Sequence, residues 1–135
     1  MKIRLWFVLA VGFALASAAV PVLAHHSFAA EFDRAKPVTV TGTVTKVEWA
    51  NPHARFYVDV KDANGKVNNW DFELSSPNDL MRRGWSRHSL KPGDAVRVSG
   101  WGAKAALYLG NVSSVTLADG KKIFTVLATE NEGTR

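Results

Sequence analysis

The residues best suited to chemistry in this chain are histidines, and two of them are adjacent: His25 and His26, in Val22-Leu23-Ala24-His25-His26-Ser27-Phe28. Ala24, with Val22 two positions before it, fits the small-residue pattern of a signal-peptidase site. A cut after Ala24 makes His25 the first residue of the mature protein. Its new α-amine, with an ordinary pKa of about 7.7–8.0, releases its proton to a metal near neutral pH. The amine and the ring Nδ1 of His25 then close a chelate on one ion. A distant third nitrogen completes a T-shaped set that suits Cu(II), the first-row divalent ion nitrogen donors hold most tightly. His26 offers a competing mode through the amine, the first backbone amide and its own ring. The other reading of the pair is a solvated polar terminus, and a cut after Ala19 removes both metal modes.

The candidate third nitrogen is His53, in Glu48-Trp49-Ala50-Asn51-Pro52-His53. Pro52 fixes its own φ and restricts Asn51, which gives His53 a defined direction. The expected metal set is therefore His25, His26 and His53, with copper as the candidate cofactor. A loop histidine bonded to Asn51 or to backbone is the plainer reading of His53. Trp49, Asn51 and Arg55 form a ligand rim around the same loop. That rim is the basis of an alternative function: a metal-independent adaptor for an envelope protein or polysaccharide.

Other polar groups carry less. His88 reads as a solvated loop residue. Arg82, Arg83 and Arg87 read as a solvated helix face or an anion site. Asp71 and Glu73 alternate with Trp70 and Phe72 and read as solvent-facing carboxylates. The remaining tryptophans read as core or rim packing, or as a stacking platform for rings. There is no nucleophile elbow, phosphate loop or zinc-protease helix motif. The expectation is a binding protein, not an enzyme.

The leader supports export. Lys2 and Arg4 precede the apolar run Leu5–Val20. That run is shorter than the roughly 20 residues needed to span a bilayer, so a cleaved signal peptide over 1–24 and a periplasmic or secreted product are expected, with no membrane span after processing. An uncleaved anchor is the competing reading. The whole chain has a net charge of +5, which falls to about +3 without Lys2 and Arg4. That small, scattered excess does not point to nucleic acid. The chain has no cysteine, which excludes thiolate ligands, thiol nucleophiles and disulfide staples.

The elements that must position these residues are strands. A first strand over 38–49 places Val38, Val40 and Val44 on one parity, then switches to Val47 and Trp49. The switch predicts a β-bulge near Thr45-Lys46. Phe56, Val58 and Val60 give a second strand, and Trp70, Phe72 and Leu74 a third. Asn64-Gly65 between them signals a tight hairpin turn. Ser76-Pro77 begins a short helix that Arg82, Arg83 and Gly84 close. Strand four follows Leu90-Lys91-Pro92-Gly93-Asp94, strand five lies around 107–117, and a short edge strand follows Asp119-Gly120.

Three strands, a helix and two strands is the OB-fold order, in an all-β chain with one short helix. The expectation is a small five-stranded OB-fold-like barrel over 38–127. A lead segment over 25–37 precedes it, and a flexible tail over 128–135 follows it. An open sandwich is the alternative. The lead segment brings His25 to His53 if it runs extended and doubles back along strand one, at about 3.3 Å per residue. A helix over 27–35, which Phe28 and Phe32 favour by their spacing, shortens it to about 1.5 Å per residue.

Four stretches occur in order: His25 to Asp33 (HHSFAAEFD), Thr41 to His53 (TGTVTKVEWANPH), Arg82 to Ser86 (RRGWS) and Leu90 to Asp94 (LKPGD). Together they resemble a family of exported bacterial proteins of unknown function. The resemblance spans nearly all of the mature chain. It implies a periplasmic OB-like domain behind a signal peptide, and it brings no activity, substrate or catalytic residue. An aromatic often follows the Asn-Pro-His-Ala element in that family. Arg55 stands there here, which makes the loop more cationic and weakens a stacking role.

Overall fold

The computed structural model describes residues 28–125. The chain divides into two compact units, Met1–Ala30 and Glu31–Arg135. Of the first, only Phe28–Ala30 are described, in a single helical turn, α1 (Phe28–Glu31). His25, His26 and the expected cut after Ala24 lie outside the described residues, as does the polar tail from 126.

Among the described residues the second unit contains six strands and one further helix: β1 (Phe32–Glu48), β2 (Arg55–Lys61), β3 (Val67–Glu73), α2 (Pro77–Arg82), β4 (Ala95–Ala103), β5 (Leu109–Leu117) and β6 (Lys122–Thr125). Each strand pairs antiparallel with its neighbours in the order β3-β2-β1-β4-β5-β6, and β3 also pairs parallel with β5. That last pairing closes the ring β1-β2-β3-β5-β4-β1, the strand cycle of an OB-fold barrel. Its register sets Asp71 opposite Leu109, Phe72 opposite Gly110 and Glu73 opposite Asn111. β6 is an extra strand laid on the C-terminal half of β5. Among the described residues no helix is long and apolar enough to cross a membrane.

The barrel is filled by alternating apolar residues of β1 to β5 and by Leu80 of α2. Val44, Phe56, Val58, Phe72, Leu80, Val96, Val98 and Val115 are all below 2% exposed. Phe56 and Phe72 stack with ring centroids 5.6 Å apart, and Trp70 stacks on Phe72 at 5.4 Å. Inward burial of one parity fixes the other parity outward, which is how this core positions the surface discussed below.

The bulge lies where the parity switch puts it. Val44 pairs with Val58 and Lys46 with Tyr57, so Thr45 is the extra residue. Gly42 allows β1 to press against β2, because a Cβ there would sit 2.2 Å from the Asp59 carbonyl oxygen. The helix also forms as its caps require. Ser76 Oγ accepts the Asp79 amide, Pro77 holds the first turn, and Gly84 follows at φ +86°.

The expected start of the first strand is corrected, and the course left open for the lead is seen in part. β1 begins at Phe32, not at Val38, so residues 32–37 do not double back along the first strand. They extend it, with Phe32 opposite Ala103 and Pro37 opposite Trp101 on β4. Among the described residues the lead is helical only over the single turn Phe28–Glu31.

Candidate functional site: a carboxylate–histidine pair on the outer face of the β2–β3 hairpin

The tight turn of the hairpin fixes what faces outward. Asp62 accepts the amides of Asn64 and Lys66, and the Gly65 amide reaches the Asp62 carbonyl at 3.0 Å. With this turn closed, Arg55 falls opposite Glu73, Phe56 opposite Phe72 and Tyr57 opposite Asp71. The phenylalanines go to the core, so Arg55, Tyr57, Asp71 and Glu73 share the outer face. Beyond the Thr45 bulge, β1 adds Lys46 and Glu48 to that face, opposite Tyr57 and Arg55. Without the extra residue the parity of Lys46 and Glu48 would be reversed.

His53 stands just before this face. Its neighbour Ala54 is fully buried and continues the hairpin ladder. The Ala54 amide donates to the Ser75 carbonyl at 3.1 Å, and the Leu74 amide donates to the Ala54 carbonyl at 2.9 Å. The peptide bond between Asn51 and Pro52 is cis. Nδ1 of His53 lies 2.8 Å from Oε1 of Glu73. Glu73 is only 8% exposed, whereas the His53 side chain is 46% exposed. A carboxylate only accepts, so the Nδ1 nitrogen carries the hydrogen. In a neutral ring this leaves the Nε2 lone pair for other partners, which is the tautomer a metal-binding histidine takes when a carboxylate orients it.

The second Glu73 oxygen is held by Arg55, with Nη1 3.6 Å from Oε2. Arg55 in turn forks onto Asp71, Nε to Oδ1 at 2.9 Å and Nη2 to Oδ2 at 3.0 Å. Both Glu73 oxygens therefore have partners, as a buried carboxylate requires. Burial works against the Arg55 charge, but Asp71 and Glu73 outweigh it and hold the guanidinium above its ordinary value. On β1, Lys46 pairs with Glu48, and Tyr57 Oη donates to Glu48 Oε2 at 3.1 Å. The Lys46 contact, followed by that of Tyr57, holds the Glu48 carboxyl below its usual range. Burial, followed by the nearby Asp71 charge, raises the Tyr57 phenol.

The expected site residues thus separate. His53 and Asn51 are exposed at the loop, and His53 is oriented by Glu73. Trp49 is half-buried and packs against the core. Arg55 is half-buried and neutralised by Asp71, so the cationic loop expected from Arg55 does not form. Asp71 and Glu73 are not the solvated carboxylates their alternation suggests. They are the partners of Arg55 and His53, and the hairpin register around Asn64-Gly65 is the sequence signal that pairs them. Arg82 and Arg83 both bond Asp79 on their own helix. Among the described residues no group of three or more His, Cys, Asp or Glu side chains is arranged to hold a metal. They offer His53 as a single oriented ligand.

The closed strand cycle and the paired polar face define a small barrel of the OB type with a histidine poised at its β1–β2 loop. A family model described as a family of unknown function, DUF6152, matches residues 13–112, and the chain belongs to that family. No curated protein matches it. Similar solved structures include the mitochondrial single-stranded DNA-binding protein Rim1 of S. cerevisiae, at 9% identity over 62% of this chain and 93% of that one, with a TM-score of 0.47. The N-terminal domain of PriB from Thermoanaerobacter tencongensis is 17% identical over 62% of this chain and 97% of its own, with a TM-score of 0.48. A ZRD-deleted mutant of TiaS in complex with agmatine is 20% identical over 73% of this chain and 24% of that one, with a TM-score of 0.44.

Proposed function

We propose that this protein is a non-enzymatic periplasmic binding protein that holds Cu(II), or a similar ion, through Nε2 of His53 and the amine and ring of a mature N-terminal His25. His26 supplies the competing mode. The observation that carries the reading is the 2.8 Å contact of the largely buried Glu73 carboxylate with His53 Nδ1. Such a partner fixes the ring and raises its basicity as a ligand, and loss of one typically weakens metal binding by about 10–100-fold.

The outer face favours a metal over a nucleic acid strand. Single-strand binders combine a cationic groove with stacked aromatics. Here Lys46 and Arg55 are matched by Glu48, Asp71 and Glu73, and Tyr57 is tied to Glu48. Trp49, the aromatic an adaptor rim would use, packs against the core.

The test is calorimetric titration of Cu(II) into three forms: the chain beginning at His25, the same chain with one extra residue before His25, and His53→Ala. One ion per chain is expected, with affinity reduced at least about tenfold in the two altered forms. Equal affinity in all three overturns the proposal. Intact mass of the exported protein reads its first residue, and a mature chain beginning elsewhere removes His25 from the site.

A further inference from the structure

A second part of the barrel carries a binding site built from different elements. The turn after α2 and the β5–β6 turn enclose a cleft of about 370 Å³. Trp85, Leu117 and Ile123 give it apolar walls, and His88, Lys121 and Lys122 bring basic groups to it. Among the described residues no carboxylate lines it. Among the described residues none of those three basic side chains forms an ion pair. Arg55, Arg82, Arg83, Lys46 and Lys91, by contrast, each have a carboxylate partner. Asp119, the acidic residue nearest in sequence, closes its own turn, where its Oδ1 accepts the Lys121 amide at 2.8 Å.

Both walls are held by hydrogen bonds, so the cleft is a built shape. On one side the Trp85 amide donates to the Leu80 carbonyl at 2.9 Å. The Ser89 amide donates to the Ser86 carbonyl at 3.0 Å, and the Ser86 amide to Ser89 Oγ at 2.9 Å. On the other side the Leu117 amide donates to the Lys121 carbonyl and the Gly120 amide to the Leu117 carbonyl, both at 2.9 Å. Trp85 itself is 6% exposed and packs in the core while also lining the cleft. The volume falls at the lower end of small-molecule sites, which pair apolar walls with a few convergent polar groups.

We infer that this cleft binds a small organic anion with an apolar body. Its headgroup meets Lys121, Lys122 and His88, and its body lies against Trp85, Leu117 and Ile123. Charge complementarity selects the headgroup, because the described lining brings Lys121, Lys122 and His88 to it and no carboxylate. The apolar walls select against a bare inorganic ion, which gains nothing from them. This inference is independent of the metal reading, since it uses none of the same side chains and needs no metal ion.

The test is amide and indole NMR of the full metal-free protein titrated with phenylacetate, with neutral phenylacetamide and inorganic phosphate as separate arms. Saturable shifts are expected at the Trp85 indole and at residues 86–89 and 117–123 with phenylacetate. Binding should be at least about tenfold weaker for each of the other probes. The double variant Lys121→Ala/Lys122→Ala, at two exposed positions, should weaken phenylacetate binding to a similar extent with the rest of the spectrum unchanged. Absence of saturable shifts, equal binding of phenylacetamide or of phosphate, or an unaltered affinity in the double variant each overturns the inference.

Discussion

Nδ1 of His53 lies 2.8 Å from Oε1 of Glu73, and the carboxylate is the buried member of the pair. The exposed ring is therefore positioned by a group that solvent barely reaches. This gives a spectroscopic expectation. Nitrogen-15 shifts of His53 in the neutral form should report hydrogen on Nδ1. In Glu73→Leu, which keeps Arg55 on Asp71, that preference should be lost. An unchanged tautomer would mean that Glu73 does not orient the ring.

The fork from Arg55 to Asp71 should be energetically coupled. Both side chains are about 30% exposed, so charge-assisted bonds worth about 1.5–3 kcal/mol must be discounted for solvent screening. A double-mutant cycle of Arg55→Ala and Asp71→Ala in urea should give a coupling of about 1–2 kcal/mol. Arg55→Lys should recover little, since an ammonium cannot make both bonds of the fork. A coupling below about 0.3 kcal/mol, within ordinary additivity error, would assign the fork no stabilising role.

Two neighbouring glycines of β4 should respond oppositely to alanine. A Cβ at Gly100 would lie 2.0 Å from the Asn111 carbonyl oxygen, at the irregular register between Ser99 and Gly100. Gly100→Ala should therefore cost at least about 1–3 kcal/mol by overpacking. At Gly102 the nearest atom is Val38 Cγ2 at 3.4 Å, an ordinary contact. Gly102→Ala should be neutral or stabilising by about 0.4–1 kcal/mol, through the lower entropy of the unfolded chain. Thermal unfolding of both variants checks the contrast, and equal losses would refute it.

Acid should remove the contribution of Asp79. Burial opposes its ionisation, but Arg83, Ser75 and Arg82 outweigh burial and hold the carboxyl below its ordinary value. A folded pKa below the unfolded one stabilises the protein above the unfolded value, near about 4. The gain is lost as pH falls through the folded value. The stability difference between the parent and Asp79→Asn should therefore be full at neutral pH and shrink below about pH 4. A difference independent of pH from 7 to 3 would contradict the assignment.

Local signals carried most of the barrel into the sequence. The parity switch at Thr45, the Asn64-Gly65 turn and the Ser76-Pro77 cap each depend on adjacent residues, and each appears where its chemistry places it. The start of β1 was hidden because Pro37 reads as a break. The strand continues through it because pairing with β2 begins only at Thr43. At Pro37 one side of β1 therefore has no partner strand that needs its amide, which is where a strand tolerates proline. His53 was legible as a stiffly held loop residue. The burial of Glu73 was not, because strict alternation with Phe72 marks a solvent face. Its cover comes from Arg55 and His53, which reach it only through the register of a paired strand.

The pairing of β1 with β4 joins distant parts of the chain, whereas His53, Arg55, Asp71 and Glu73 all belong to one hairpin with its flanking loop. Hairpins form within about 1–10 μs, while non-local strand pairing is slow. The residues that orient the imidazole rest on the register of one local hairpin, whereas the strand that carries the start of the barrel is held by a long-range pairing.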